Sequence, residues 1–151
     1  MAGSAPVLVV LAAVAVGLMV PAQAGINAEL RRHLGSPIVV SAVSFVIGLV
    51  LLIGASAATR AEVPSLAKLS SAPWWSYLGG TMGAAFVLTG VIAAPRLGAA
   101  LLVASMVAGQ LIGSVVIDHF GWLGFVERPI SLGRIAGVLL LAGGVFLLQR
   151  S

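Results

Sequence analysis

The sequence predicts an all-α integral membrane protein built as a bundle of five transmembrane helices. Of its 151 residues, 60% are hydrophobic and only 8% are charged, whereas soluble domains carry about 25% charged residues. About 20 residues of helix cross a bilayer core, and four long stretches without Asp, Glu, Lys or Arg meet that length. A fifth stretch meets it if residues 131–134 lie in its first turn. The five stretches are residues 2–28, 34–59, 69–95, 97–117 and 135–149.

Prolines and glycines mark where these helices begin and end. Five of the seven prolines stand at or just before the start of an apolar stretch, where a missing N–H breaks no hydrogen bond. Between helices one and two, Gly35 can end one helix, Ser36 can cap the next and Pro37 can open it. Ala94-Pro95 is a similarly short joint between helices three and four. The expected helices, in one membrane domain spanning residues 1–151, are residues 6–34, 37–58, 73–93, 95–118 and 131–149.

The first apolar stretch has two interpretations. Ala22-Gln23-Ala24 has the small-x-small pattern of a signal-peptidase site, which would make the stretch a removable leader. However, the residues before it carry no basic side chain, and four more apolar stretches follow. We therefore expect a retained helix. Pro21 lies inside it and should kink or loosen the helix just before Gln23 and Asn27.

The composition argues against several other classes of protein. There is no cysteine, and the two histidines are far apart in sequence, so we expect no metal site and no cofactor. The net charge of +4 comes from basic residues at the ends of apolar stretches, which fits lipid headgroups rather than nucleic acid. No nucleophile–base pair, phosphate loop or pair of catalytic carboxylates stands out. We therefore expect neither an enzyme nor a catalytic residue.

The basic residues favour neither orientation in the membrane. With five helices, each side would hold four of the eight basic residues. These are Arg60, Lys68, Arg128 and Arg134 on one side, and Arg31, Arg32, Arg96 and Arg150 on the other. Either a subtler signal sets one orientation, or the protein inserts both ways and pairs with an inverted copy as an antiparallel dimer. GxxxG patterns at residues 79–83, 109–113 and 133–137 favour a compact bundle or a dimer.

Two polar stripes on apolar helices supply the candidate substrate-binding residues. Gln23 and Asn27 are four residues apart and share one face of helix one, and Gln110, Ser114 and Asp118 repeat this spacing on helix four. Either stripe could hold helices together through hydrogen bonds or line a polar cavity.

Charged and aromatic residues at the helix ends have both structural and functional interpretations. Asp118 could be an interfacial carboxylate paired with His119 or water, or a group that takes up a proton or recognises a cationic substrate. Glu29 is expected to pair with Arg32 and His33 on the helix surface. The aromatic residues at the helix ends predict an interfacial belt, or cation–π walls for an organic cation. They are Trp74, Trp75, Tyr77, Phe120 and Trp122.

Three motifs together resemble a known family. They are QxxxN at residues 23–27, PWWxxLGG at residues 73–80, and GQ followed after seven residues by DHFGxLG, at residues 109–124. They closely resemble the bacterial YdcZ family of the drug/metabolite transporter superfamily, over nearly the whole chain. The resemblance implies a five-helix inner-membrane protein, equivalent to half of a ten-helix transporter, with homologues that occur as oppositely oriented pairs. It marks as motif positions Gln23, Asn27, Trp75, Gln110, Asp118 and His119.

The resemblance also sets a limit on mechanism. The related small multidrug-resistance proteins use a membrane-embedded glutamate in helix one, whereas residues 5–28 contain no acid here. This difference argues against proton-coupled export of cations by that mechanism.

The combined expectation is a dimeric, multi-pass inner-membrane transporter that exports a small metabolite or drug-like solute by alternating access. The polar faces of helices one and four would meet near the middle of the bilayer, and the region of Pro21 would bend. The partners would be lipid, the substrate, and an inverted copy or an oppositely oriented paralogue. A dual-topology ion channel and a non-transporting scaffold subunit are the alternatives.

Overall fold

The computed structural model describes the backbone of residues 4–150 and the side chains of residues 7–150. The first three residues of the predicted domain, and Ser151, lie outside this description. The described chain is helical and contains no strand. Its helices are α1 (Ser4–Leu34), α2 (Pro37–Ala58), the short α3 (Leu66–Ser70), α4 (Gly79–Phe120) and α5 (Leu132–Arg150), with 3-10 helices at Trp74–Leu78 and Trp122–Gly124.

Four helical segments of the described chain are long and apolar enough to cross a membrane. They are Val7–Leu34, Pro37–Ala58, Trp74–Phe120 and Leu132–Arg150. The prediction of an all-α integral membrane protein is therefore confirmed. The third segment has 47 residues, about twice the length that a bilayer core requires.

The connection between α1 and α2 has the local structure that its sequence predicts. Gly35 has a φ of 76°, and its N–H donates to the Arg31 carbonyl over 2.8 Å, as in a left-handed helix end. Ser36 is the N-cap of α2, where its Oγ accepts from the Val39 N–H, and Pro37 lies in the first turn. The predicted turn at Gly35, Ser36 and Pro37 is confirmed.

Helix α4 is broken at Gly98, where φ is 72° and ψ is 168°. Only glycine adopts this combination readily. The sequence placed the joint at Ala94-Pro95, and this prediction is wrong, because Pro95 lies within the helical residues before the break. A proline has no N–H, so the Val91 carbonyl one turn earlier loses its helical donor. Arg31 Nη1 donates to that carbonyl over 3.4 Å.

The chain forms two compact units, one of Ala22–Arg96 and the other of Met1–Pro21 with Leu97–Ser151. In the first unit the side chains of Val40 and Val91 are fully buried, and in the second Leu102 is buried. These are the buried apolar side chains within residues 7–150. Most large apolar side chains are exposed in the isolated chain and are therefore available to lipid tails or to a second protein.

Candidate functional site

The first predicted polar pair lies in the unit Ala22–Arg96. Asn27 on α1 is only 5% exposed, and its Oδ1 accepts a hydrogen bond of 2.7 Å from Ser44 Oγ on α2. A buried amide without a partner is costly, so this bond holds α1 against α2. The contact favours the helix-packing interpretation of Asn27.

The sequence analysis did not select Ser44, although the register of the hairpin contains a signal for it. Asn27 and Ser44 lie equally far in sequence from the turn at Gly35 and Ser36. Two antiparallel helices joined by so short a turn bring such positions side by side. Of the three serines in α2, Ser44 could therefore have been assigned to the buried amide opposite it.

Gln23, one turn before Asn27, opens onto a cavity within the same unit. The cavity has a volume of about 320 Å³. Its polar lining residues are Gln23 and Ser44, and its apolar lining residues are Phe45, Gly48, Leu49, Leu52 and Val87. Small-molecule sites are typically apolar cavities of about 300–1,000 Å³ with a few polar groups. This cavity matches such sites in volume and in lining, and it is open at the surface of the isolated chain, where Leu49 and Leu52 are 56% and 67% exposed.

The second predicted polar stripe lies in the other unit. Ser114 Oγ donates a hydrogen bond of 2.7 Å to the Gln110 carbonyl of its own helix. Gln110 and Ser114 are both exposed. Their role in binding stays a prediction, as does the meeting of the polar faces of helices one and four.

Asp118 forms an ion pair with Arg134 in the first turn of α5. The Nη2–Oδ2 distance is 3.1 Å, and the two side chains are about three-quarters buried. Arg134 Nη1 also donates to the Arg128 carbonyl, and the Arg128 N–H donates to the Asp118 carbonyl over 2.7 Å. These bonds close the connection between α4 and α5.

The ion pair changes the interpretation of Asp118. The sequence offered His119 or water as its partner, whereas the structure supplies Arg134, which is 16 residues away. An adjacent guanidinium balances the carboxylate charge through a charge-assisted hydrogen bond. This arrangement favours a structural carboxylate at the end of α4, and a role of Asp118 in binding stays a prediction.

The remaining motif residues lie at helix ends. His119 Nδ1 accepts from the Ile130 N–H over 3.3 Å, and the His119 ring packs edge-on against Phe120, which stacks on Trp122. Trp75 is half-exposed in the 3-10 helix before α4 and does not line the cavity beside Gln23. Half-exposed aromatic rings at helix ends are typical of the interfacial belt.

Two further predictions concern charged and metal-binding groups. Glu29 pairs with Arg32 at 3.0 Å and lies 3.6 Å from His33, so the predicted pairing is confirmed. Within residues 4–150, no group of three or more His, Cys, Asp or Glu side chains could hold a metal ion.

A known protein family resembles this chain along most of its length. A protein-family model described as "Putative inner membrane exporter, YdcZ" matches residues 8–147. The chain belongs to the YdcZ family. The resemblance that the three motifs indicated is thus confirmed, and the chain is a multi-pass inner-membrane protein. The family's description is that of an inner-membrane exporter.

A curated YdcZ relative is similar over part of its length. The chain is 37% identical over 82 residues to the inner membrane protein YdcZ of Escherichia coli strain K12. The match covers 54% of this chain and 54% of the relative, so the chain spans about half the length of that protein. No solved structure matches the chain.

Proposed function

We propose that this YdcZ-family chain is one subunit of an exporter that moves a small metabolite or drug-like solute by alternating access. The observation that carries the proposal is the cavity beside Gln23, whose volume, apolar walls and two polar side chains suit a small molecule. Gln23 follows Pro21, where the missing backbone donor weakens α1 and gives it a place to bend. The family's description supports export as the direction.

The proposal includes five membrane crossings. The segment Trp74–Phe120 is long enough for two of them, and the backbone at Gly98 departs from the helix near its middle. A turn at this point would place Arg96 in the headgroup region. The crossings would then be α1, α2, the two parts of α4, and α5.

The functional unit would be an antiparallel dimer of two copies, or of this chain and an oppositely oriented paralogue. Five crossings divide the basic residues equally between the two sides, so the positive-inside rule permits both orientations. The three GxxxG patterns, at residues 79–83, 109–113 and 133–137, allow close contacts between helices in lipid. Two inverted chains would together supply the inverted repeat that many transporters carry internally.

Transport can be measured with the purified protein in liposomes. We expect saturable flux of at least one compound from a broad metabolite panel, and we expect Gln23→Ala to lower it because the cavity loses its amide. Gln110→Ala tests whether α4 contributes to the same site. Gln149→Ala, near the end of α5, is the matched control and should transport like the original protein.

Other outcomes of the liposome experiment would contradict the proposal. Rapid ion flux that does not saturate would indicate the channel instead. No flux, no stabilisation by any compound, and co-purification with another protein would indicate the scaffold. If Gln23→Ala and Gln110→Ala change only thermal stability, neither side chain belongs to a transport site.

Orientation can be measured by thiol labelling, since the chain contains no cysteine. Val63→Cys, at a side chain that is 91% exposed, reports the connection between α2 and α4, and a cysteine added after Arg150 reports the end of α5. An impermeant reagent applied to intact cells should label both positions in comparable fractions of the molecules. Labelling of one position alone would exclude the antiparallel homodimer and leave a parallel dimer or an oppositely oriented paralogue as the alternatives.

A further inference from the structure

We infer that the cavity beside Gln23 takes an uncharged solute that combines a hydrogen-bond donor with an apolar body, and that it rejects organic cations. This inference rests on the proposed function, because it names the substrate class of the same cavity. It follows from three properties of the lining side chains: their lack of charge, the direction of the hydrogen bond made by Ser44, and the apolar walls.

The described residues that line the cavity include no charged side chain, since the polar ones are an amide, Gln23, and a hydroxyl, Ser44. The acid nearest in sequence on α1, Glu29, is already engaged by Arg32 and His33. A cation that enters apolar surroundings loses its hydration, and no acidic side chain among the lining residues compensates for that loss. The aromatic ring of Phe45 would compensate for it only in part. This cavity therefore favours an uncharged solute.

Ser44 determines which hydrogen-bonding group the solute must carry. A serine hydroxyl has one hydrogen and two acceptor lone pairs. The hydrogen of Ser44 is donated to buried Asn27 Oδ1 over 2.7 Å, so towards the cavity Ser44 Oγ can only accept. Gln23 has an amide that can donate and accept. A solute with an O–H or N–H group can satisfy Ser44, whereas one without a donor leaves it unpaired after water is displaced.

Asn27 thereby acts as a positioning residue for Ser44. Its amide is almost completely buried between α1 and α2 and has no need to touch the solute. By accepting the Ser44 hydrogen, it fixes the direction of the hydroxyl. The polar character of the cavity thus depends on a packing contact.

The rest of the cavity suits the apolar part of the solute. Phe45 offers an aromatic face, and Leu49, Leu52 and Val87 complete the apolar walls. The Phe45 ring packs against α4 at Gly83, where an added Cβ would lie 3.6 Å from Phe45 Cζ. A planar or branched body can pack on such a ring. The volume of about 320 Å³ lies at the lower end of small-molecule sites, so the solute is small.

Three matched phenyl compounds test the inference with the full chain in lipid nanodiscs. The compounds are 2-phenylethanol, its methyl ether, which has no donor, and 2-phenylethylammonium, which has a donor and a charge. Leu49→Cys places a thiol in the cavity, and Val50→Cys, which does not line it, is the matched control. The readout is the rate of labelling by N-ethylmaleimide as each compound is titrated.

We expect the alcohol to protect Leu49→Cys at concentrations at least about tenfold lower than the ether or the ammonium compound, because an unpaired polar group or an uncompensated charge weakens binding. Labelling of Val50→Cys should not respond to any of the three. Ser44→Ala should abolish the preference for the alcohol over the ether. Since this change also removes the partner of Asn27, Gln23→Leu at an exposed position is the second variant, and it should weaken protection by the alcohol without lowering thermal stability.

Two results would overturn the inference. One is protection of Leu49→Cys by the ammonium compound or the ether as strong as that by the alcohol. The other is equal protection of Leu49→Cys and Val50→Cys by every compound. Liposome flux together with unselective protection would overturn only the substrate class. Selective protection without any flux would overturn the proposed export and leave the binding site in place.

Discussion

Replacing Gly98 with alanine is expected to lower the free energy of unfolding by about 1–3 kcal/mol, because the backbone there has a conformation that is strained for any residue with a Cβ. The φ and ψ angles are 72° and 168°. A Cβ added at Gly98 would meet no atom within 4 Å, so crowding does not contribute. The measurement is reversible unfolding in mixed micelles by titration with SDS.

Gly54→Ala is the matched control for this prediction. Gly54 lies within α2, and an added Cβ there also meets nothing within 4 Å. Because alanine is favoured over glycine in a regular helix by up to about 1 kcal/mol, this variant should be as stable as the original or more so. Equal effects of the two substitutions would show that Gly98 is not a point of backbone strain.

Arg31→Met is expected to lower the free energy of unfolding by about 1–2 kcal/mol, because it leaves the Val91 carbonyl without a donor at a fully buried residue. The carbonyl needs Arg31 only because Pro95 has no N–H to offer it. In a Pro95→Ala background the helix itself can supply the donor. Arg31→Met should then cost less than about 0.5 kcal/mol, a value typical of surface substitutions.

The same SDS titration measures this double-mutant cycle. Arg32→Met is the control at the neighbouring position. Arg32 is highly exposed and forms an ion pair with Glu29 on the helix surface. Such a surface ion pair contributes about 0.3–0.5 kcal/mol to stability, so Arg32→Met should lower the free energy of unfolding by no more than that. If Arg31→Met lowers the free energy of unfolding equally in the original protein and in the Pro95→Ala background, Arg31 does not compensate for the proline.

Local chemistry explains which parts of this structure could be predicted. The turn at Gly35, Ser36 and Pro37 depends on residues adjacent in sequence, each with one dominant preference. The pairing of Glu29 with Arg32 follows from the helical repeat alone. In both cases the interacting groups lie within about one helical turn of each other. Their contacts therefore do not depend on how the helices pack in the tertiary structure.

The joint at Pro95 could not be predicted in this way. A proline usually opens a helix because its missing N–H is harmless there. Here the proline occurs inside the helix, and Arg31, 60 residues from Val91 in sequence, donates a hydrogen bond to the carbonyl that the proline leaves without its helical donor. The break occurs instead at Gly98, whose glycine-only backbone angles leave no signature that distinguishes it from the other glycines of the chain.

The sequence selected Gln23 and Asn27 but not the contacts that surround them. The spacing of Gln23 and Asn27 was sufficient to select both residues, but their different roles depend on α2, which buries Asn27 and leaves Gln23 at the cavity. The partner of Asp118 was missed for a related reason. Arg134 lies beside Asp118 only because the irregular connection between α4 and α5 brings the start of α5 back to the end of α4. No periodic pattern in the sequence predicts the path of that connection.

The scarcity of buried apolar side chains has an evolutionary consequence. Within residues 7–150 only Val40, Val91 and Leu102 are buried apolar residues, whereas a soluble core constrains many positions by shape. Lipid tails accept leucine, isoleucine, valine and phenylalanine almost equally, so most positions of these helices can drift while their hydrophobicity is kept. Selection for shape would then act on a few positions, such as Asn27, Ser44 and Val91, and on any surface that meets a second chain.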